Sequence, residues 1–148
     1  MDNASEIFEV EGNGSENDCT LFSLSDEYFE AARVLQETPP VRVNYALVTY
    51  YLLGHSAELA LKAYLYKHGL NIKDLREIGH NLEKLVTLAK GNGLSEKVKF
   101  EHILHLANTY KDKNLEYRKI KKASFPPAHL LTEEIKALQY AVFDKIST

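Results

Sequence analysis

The sequence predicts an all-α fold, an antiparallel bundle of about five helices. From residue 21 onward, apolar residues recur at the spacing of helical faces, and no stretch alternates convincingly with the period of two that a half-buried strand needs. The chain has seven Gly and four Pro, which is few for a fold built on tight turns. Its 148 residues, 45% hydrophobic and 26% charged, suffice for one domain with a core.

The first twenty residues differ from the rest in charge. They hold six acidic residues and no Lys or Arg, and they include a run of turn formers at residues 12–15. We therefore expect residues 1–20 to form a flexible acidic tail and residues 21–148 to form the helical domain. A short strand at residues 7–10 is the alternative for part of the tail.

The second predicted helix dominates the chain. The first, over residues 26–36, has Ser25 as its N-cap and ends before two prolines. The second covers residues 41–68 and carries apolar residues on two faces, which place it at the centre of the domain. One face is formed by Tyr45, Val48, Leu52, Leu59 and Ala63, the other by Ala46, Leu53, Ala57, Ala60, Leu61 and Tyr64. The small residues Gly54 and Ser56 would let another helix approach closely.

Three further helices complete the predicted bundle. A connector with at most one helical turn occupies residues 71–79, and a third helix follows over residues 80–90. Ser95 is the expected N-cap of a fourth helix over residues 96–110. Residues 111–127 are predicted to be a loop or an irregular extension. Thr132 is the expected N-cap of the last helix, with Glu133 and Glu134 in its first turn, where the helix dipole favours acidic groups.

Several functional classes are excluded or disfavoured by composition and motifs. The single cysteine, Cys19, rules out a disulfide framework and a cysteine-based zinc cluster. No segment is long and apolar enough to cross a membrane, and the acidic N-terminus does not resemble a signal peptide, so we expect a cytoplasmic protein without a membrane partner. Glycine-rich phosphate loops and a nucleophile elbow are missing, so we predict no cofactor and no catalytic residues.

Two groups of polar residues on the predicted helices are candidate sites. His102 and His105 are spaced so that they could chelate one ion, but no third ligand is marked, and we favour a polar helix edge and no metal. Glu58 and Lys62 are spaced as an ion pair on the most apolar helix, with His55 one turn earlier. A solvated pair at the helix edge is the favoured interpretation, and these residues with His55 remain secondary candidates for a site.

A basic segment interleaved with aromatic residues predicts contact with an anionic ligand. Residues 111–122 carry six basic and two acidic side chains, a net charge of +4. Basic and aromatic residues together suit phosphate contact and base stacking. The candidate residues are Tyr110, Tyr117, Arg118, Lys119, Lys121 and Lys122. A solvated loop has the same composition, so both interpretations stay open.

The run from Gly54 to Leu65 resembles the helix S-x-E-x-x-x-K-x-x-L of HEPN domains (higher eukaryotes and prokaryotes nucleotide-binding). The run His80-Asn81-Leu82 with Leu85 is similar to the opening H-[DN]-L-x-x-L of the next helix of that family. The resemblance implies a HEPN-like bundle, and it implies that Lys62 and His80 face the same ligand, a nucleotide or RNA. It also implies a homodimer, which the two apolar faces of the second helix favour independently.

Many HEPN proteins are RNases that use an R-x(4–6)-H motif, and no arginine of this chain has a histidine at that spacing. The resemblance therefore implies a non-catalytic module that binds nucleotide, RNA or a protein partner, such as a nucleotidyltransferase-type protein or a toxin–antitoxin component. One alternative is an RNase or toxin with a degenerate site, in which His80, Arg76 or Arg118 acts across a dimer. Another is a structural homo-oligomer without a ligand.

Overall fold

The computed structural model describes residues 16–39, 45–110 and 124–147, and these residues form six helices and no strand. The helices are α1 (Asp18–Glu37), α2 (Ala46–Lys67), α3 (Ile72–Ile78), α4 (Leu82–Gly91), α5 (Glu101–Tyr110) and α6 (Ala128–Ile146). The all-α prediction is confirmed, and the expected connector at residues 71–79 contains the additional helix α3. None of the described helices is both long and apolar enough to cross a membrane. Most of the expected tail, the alternative strand at residues 7–10 and most of the basic segment lie outside the described residues.

Helix α2 is the centre of the fold. It contacts all five other helices, and every residue from Leu53 to Leu65 except His55 is buried. This confirms the central position that two apolar faces predict for most of the helix. The first turns of α2 are different, because Val48 is 39% exposed although its spacing placed it on a buried face. The sequence pattern is continuous there, but no described neighbour covers that side chain.

Helices α1 and α2 approach closely at a pair of serines. The Ser25 hydroxyl donates to the Ser56 carbonyl oxygen at 2.7 Å, and the Ser56 hydroxyl donates to the Ser25 carbonyl oxygen at 2.9 Å. Gln139 of α6 donates to both hydroxyl oxygens. The prediction that Ser25 is an N-cap is therefore wrong: it lies inside α1, fully buried. The true N-cap is Asn17, whose side chain accepts from the amide of Thr20 in a capping box.

The predicted caps of the last two helices are also wrong. Helix α5 begins at Glu101 rather than after Ser95, and its first amides, those of His102 and Ile103, donate to the buried carboxylate of Glu134 at 2.9–3.0 Å. Helix α6 begins at Ala128, so Thr132 lies one turn inside it and donates to the carbonyl of Ala128. A side chain of α6 therefore supplies the N-terminal cap of α5.

The loop before α4 places His80 beside α2. Gly79 has a φ of +63°, which a residue with a side chain rarely adopts. Asn81 caps α4 by accepting from the amide of Lys84, so the helix starts at Leu82 and His80 precedes it. The expected helix over residues 80–90 is thus confirmed apart from its first two residues, and His80 sits in a turn that can reach α2.

Candidate functional site

The centre of the candidate site is the carboxylate of Glu58 on α2, a residue that is 3% exposed. Its Oε2 atom accepts from the Lys62 ammonium at 2.7 Å. Its Oε1 atom accepts from His80 Nδ1 at 2.8 Å and from the Tyr110 hydroxyl at 2.7 Å. The Tyr110 hydroxyl in turn contacts His55 Nδ1 at 2.6 Å. We call these five residues, His55, Glu58, Lys62, His80 and Tyr110, the Glu58 cluster.

The ion pair of Glu58 and Lys62 is buried, so the prediction of a solvated pair at the helix edge is wrong. Lys62 is only 9% exposed, because α2 is covered along this side as well. A buried charge is tolerated only when it is paired and hydrogen-bonded. Glu58 meets that condition through three donors, two of which come from elements outside α2.

The surroundings of Glu58 keep it ionised. Burial raises the pKa of its carboxyl, but the hydrogen bond from His80, the charge and hydrogen bond of Lys62 and the hydrogen bond from Tyr110 outweigh burial and lower the pKa to about 2. A group with so low a pKa is a poor general base near neutral pH. Glu58 therefore acts as a fixed acceptor that orients the side chains around it.

The ionised carboxylate also fixes the protons of its neighbours. Glu58 can only accept, so His80 must carry a hydrogen on Nδ1, and the single hydroxyl proton of Tyr110 must point to Glu58. The Tyr110 oxygen then accepts from His55, which must also carry its hydrogen on Nδ1. Both imidazoles therefore gain or lose their second proton at Nε2.

Aromatic rings surround the outer part of the cluster. The ring of His55 lies 4.7 Å from that of Tyr28, 5.1 Å from that of Tyr51 and 5.7 Å from that of His80, measured between centroids. These four rings are half-buried and so reach the surface. Sequence analysis missed Tyr28 and Tyr51, although Tyr51 is one helical turn before His55 and could have been found from that spacing.

Tyr110 lies beneath this surface. The residue is 3% exposed, so it has no open ring face to stack on a base in this conformation. Its ring packs directly on Gly54, where an added Cβ would lie 2.5 Å from Tyr110 Cδ1. The close approach expected at Gly54 is confirmed, and the approaching group is a side chain of α5.

The structure also describes both flanks of the basic segment. Tyr117, Arg118, Lys119, Lys121 and Lys122 lie outside the described residues. The segment follows Tyr110, which packs on Gly54, and it precedes Phe125, whose ring stacks on that of Tyr50 at 4.8 Å. Tyr50 and Gly54 are one turn apart on α2. The chain therefore leaves the Glu58 cluster and returns within one turn of it.

Two groups of side chains contain the donor atoms that metal ions use. Donor atoms of His55, Glu58 and His80 lie within 4.8 Å of one another, and they are the only such group of three among residues 16–39, 45–110 and 124–147. Lys62 already neutralises Glu58, and both Nδ1 atoms hold hydrogen bonds within the cluster, so these residues suit a hydrogen-bonded network better than a cation. His102 and His105 have different partners: His105 contacts Ser124 at 2.9 Å, and His102 faces the carboxylates of Glu101 and Glu134.

The sequence-proposed residues fall into two sets. Lys62, His80 and Tyr110, with the secondary candidates His55 and Glu58, come together in one cluster. The remaining candidates belong to the basic segment. Comparison of the chain with protein-family models, with curated proteins and with solved structures finds no match.

Proposed function

We propose that this protein is a non-catalytic module that binds nucleotide or RNA, with a HEPN-like antiparallel arrangement of its helices. One observation carries the proposal: Lys62, His80 and Tyr110, chosen from sequence as ligand residues, lie together on Glu58 with His55. His80 and Tyr110 follow Glu58 in the chain by 22 and 52 positions, yet both donate to its carboxylate. Groups with strongly shifted pKa values cluster at functional sites, and the carboxyl of Glu58 is such a group.

The charges of the cluster suit an anion at its outer side. Glu58 and Lys62 cancel, so each imidazole that takes up a second proton adds one positive charge to the cluster. The side chain of His80 is 31% exposed and His55 is half-buried, so these rings would contact the ligand. Lys62 and Tyr110 are buried and would act as positioning residues. Tyr28 and Tyr51 supply the rings on which a base can stack.

The basic segment would supply most of the phosphate contacts. The segment carries a net charge of +4. The residues that flank it, Tyr110 and Phe125, pack on α2 at and beside the cluster. Contacts between cations and phosphates release counterions, so affinity falls as salt rises. A ligand with at least one base and several phosphates would use both parts of this surface.

The test is a titration of the pure protein with a labelled single-stranded RNA of about ten nucleotides. Binding should be measured at about 50 mM and about 200 mM salt. The variant Arg118→Ala with Lys119→Ala should bind more weakly, and its salt slope should fall by about 1.4, because each lost phosphate contact contributes about 0.7 on single strands. Lys84→Ala with Lys97→Ala removes the same charge from exposed sites elsewhere and should bind like the wild type. An absence of binding, or equal binding by both variants, would contradict the proposal.

A second candidate, an RNase or toxin with an altered active site, is favoured by the pairing of Glu58 with His80. A carboxylate that holds Nδ1–H of an imidazole leaves Nε2 as the proton-transfer atom, an arrangement used in acid–base catalysis. Cleavage of bulk RNA by pure protein, abolished by His80→Gln but retained in His129→Gln, would favour this candidate over simple binding. Binding without cleavage in both proteins would exclude it.

The family resemblance also leads us to propose two protein partners. One is a second copy of this chain, and the other is a nucleotidyltransferase-type protein, as in toxin–antitoxin pairs. Exposed aromatic residues on α6, Tyr140 and Phe143, provide apolar surface that an interface could use. Identification of a protein that co-purifies with the tagged chain would test the second partner.

A further inference from the structure

A groove of about 360 Å³ lies between α1 and α6 on the surface of the domain. Phe22 of α1 and Phe143 of α6 meet in it, with ring centroids 5.6 Å apart. Phe143 is nevertheless 53% exposed, and Tyr140, which also lines the groove, is 67% exposed. The described residues thus leave more than half of both residues uncovered. Exposed aromatic side chains that lie together in this way are typical of protein–protein interfaces.

The two helices run antiparallel along the groove. Phe22 contacts Phe143, whereas Gln36, further along α1, donates to Thr132, which comes earlier in α6. In a face-to-face dimer with its two-fold axis along the groove, α1 of each copy would pack on α6 of the other copy. The helices that meet across that interface would again be antiparallel, as in an antiparallel four-helix bundle.

The charged groups of the groove match this arrangement. Asp26 lies on the α1 wall and Lys136 on the α6 wall, and both are exposed. Among the residues that the structure describes, neither of them forms an ion pair. Arg33 and Glu30 also line the groove, but they are paired with each other at 2.9 Å. One unpaired acid and one unpaired base therefore remain, on opposite walls.

The positions of these two groups along the groove agree as well. Counted from the contact of Phe22 with Phe143, Asp26 lies four residues further along α1, and Lys136 lies seven residues back along α6. At 1.5 Å per residue, their levels along the groove differ by about 5 Å, which a lysine side chain can span. When α1 of one copy covers α6 of the other, Asp26 of each copy therefore meets Lys136 of the other copy.

We propose that the groove between α1 and α6 is the contact surface of a homodimer, and that both Glu58 clusters stay open in this dimer. A second copy is the occupant that the groove favours, because a two-fold interface needs a surface that complements itself. Asp26 and Lys136 provide that complementarity, and Tyr140 and Phe143 provide the apolar contact. The two acidic and two basic groups of the groove cancel, so they do not favour a strongly charged occupant such as RNA.

The ligand site lies on a different side of α1. Tyr28, whose ring contacts that of His55, is two residues after Asp26 and therefore points about 160° away from it around the helix. Each copy would thus bind its own ligand, and His80 of one copy would not act in the cluster of the other. This placement rests on the proposed function, whereas the interface itself does not.

Sedimentation of the full chain tests the apolar part of the interface. Tyr140→Ser with Phe143→Ser should raise the Kd of the dimer at least about tenfold, because both changes remove central aromatic contacts. The control Leu24→Ser with Val48→Ser removes exposed apolar side chains outside the groove and should dimerise like the wild type. A wild type that stays monomeric at tens of micromolar, or equal dimerisation of all three proteins, would overturn the proposal.

A mixing experiment tests the charge contacts between the copies. Asp26→Lys and Lys136→Asp should each raise the Kd about tenfold when present alone, because each homodimer then contains two like-charge contacts. An equimolar mixture of the two variants should dimerise like the wild type, because the mixed dimer restores both opposite-charge contacts. The control Glu27→Lys, an exposed site of α1 outside the groove, should have no effect. A mixture that dimerises no better than its separate components would contradict this interface.

RNA titration separates the interface from the proposed function. The variant Tyr140→Ser with Phe143→Ser should bind RNA with the affinity of the wild type, at one site per chain. Weaker binding by this variant would refute the statement that the clusters stay open in the dimer. If none of the proteins binds RNA, the proposed function fails, and the sedimentation results still decide the interface.

Discussion

Replacement of Glu58 by Gln tests whether this carboxylate holds the cluster together. The substitution keeps the size of the side chain and removes its charge. It leaves the Lys62 ammonium, 9% exposed, without its ionic partner, and it deprives His80 and Tyr110 of a charged acceptor. We expect a large loss of stability because the remaining charge cannot reach water without rearrangement.

The expected loss of stability can be derived in two ways, and both give the same size. The pKa of Glu58 falls from 4.5 to about 2, and a shift of this size corresponds to about 3 kcal/mol of stability at neutral pH. Removal of one partner from a buried ion pair costs about 3–5 kcal/mol in other proteins. The free energy of unfolding of Glu58→Gln should therefore be about 3 kcal/mol below that of the wild type at pH 7. The control Glu27→Gln, on the exposed surface of α1, should change it by less than about 0.5 kcal/mol.

The pH dependence provides the sharper criterion. Because the pKa of Glu58 is lowered by folding, its contribution is complete above about pH 4.5 and is lost as the pH falls towards 2. Urea unfolding should show the wild type and Glu58→Gln far apart at pH 7 and converging below pH 4. Adding Lys62→Met to Glu58→Gln should recover part of the loss, because no unpaired charge remains. A difference below about 1 kcal/mol at pH 7, or one that does not shrink in acid, would refute this account of the cluster.

Three further predictions concern packing, capping and assembly. Gly54→Ala should lower stability by about 1–3 kcal/mol in thermal unfolding, because its Cβ would overlap the Tyr110 ring, whereas Gly91→Ala has open space and should be neutral or stabilising. Glu134→Ala should cost about 1–3 kcal/mol by uncapping α5, and exposed Glu133→Ala should cost little; equal effects would contradict the capping role. Sedimentation at tens of micromolar protein should show a dimer, and a monomer alone would mean a Kd above about 10⁻⁵ M.

The helical class and the central position of α2 could be predicted because both depend on periodicity within one segment. Helix starts were predicted less well. Ser25, Ser95 and Thr132 are all good N-cap residues by local pattern, and none of them caps a helix here. The cap of α5 is Glu134, more than thirty positions further along the chain, so no local signal could mark it. Likewise, the Ser25 hydroxyl donates from α1 to a carbonyl oxygen of α2 instead of capping its own helix.

In the candidate site, too, local spacing could be predicted from the sequence and contacts with distant residues could not. The spacing of Glu58 and Lys62 is identical for a solvated pair and a buried one, so the sequence alone favoured the commoner surface pair. Their burial depends on covering elements, and Glu58 has two further donors, His80 and Tyr110, which follow it by 22 and 52 positions. The family resemblance singled out Lys62 and His80 together, and the structure links both through Glu58. The resemblance could not indicate that Tyr110 would be buried.

The proposed function requires that the Glu58 cluster and the basic segment bind one ligand together. The most direct measurement is a double-mutant cycle of RNA affinity with the wild type, His80→Gln, Arg118→Ala with Lys119→Ala, and the combination of all three. If one ligand spans both parts, each set of changes should weaken binding, and their losses of binding free energy should add in the combined variant. Binding that ignores His80→Gln, or a combined variant that binds no more weakly than Arg118→Ala with Lys119→Ala, would contradict a single shared site.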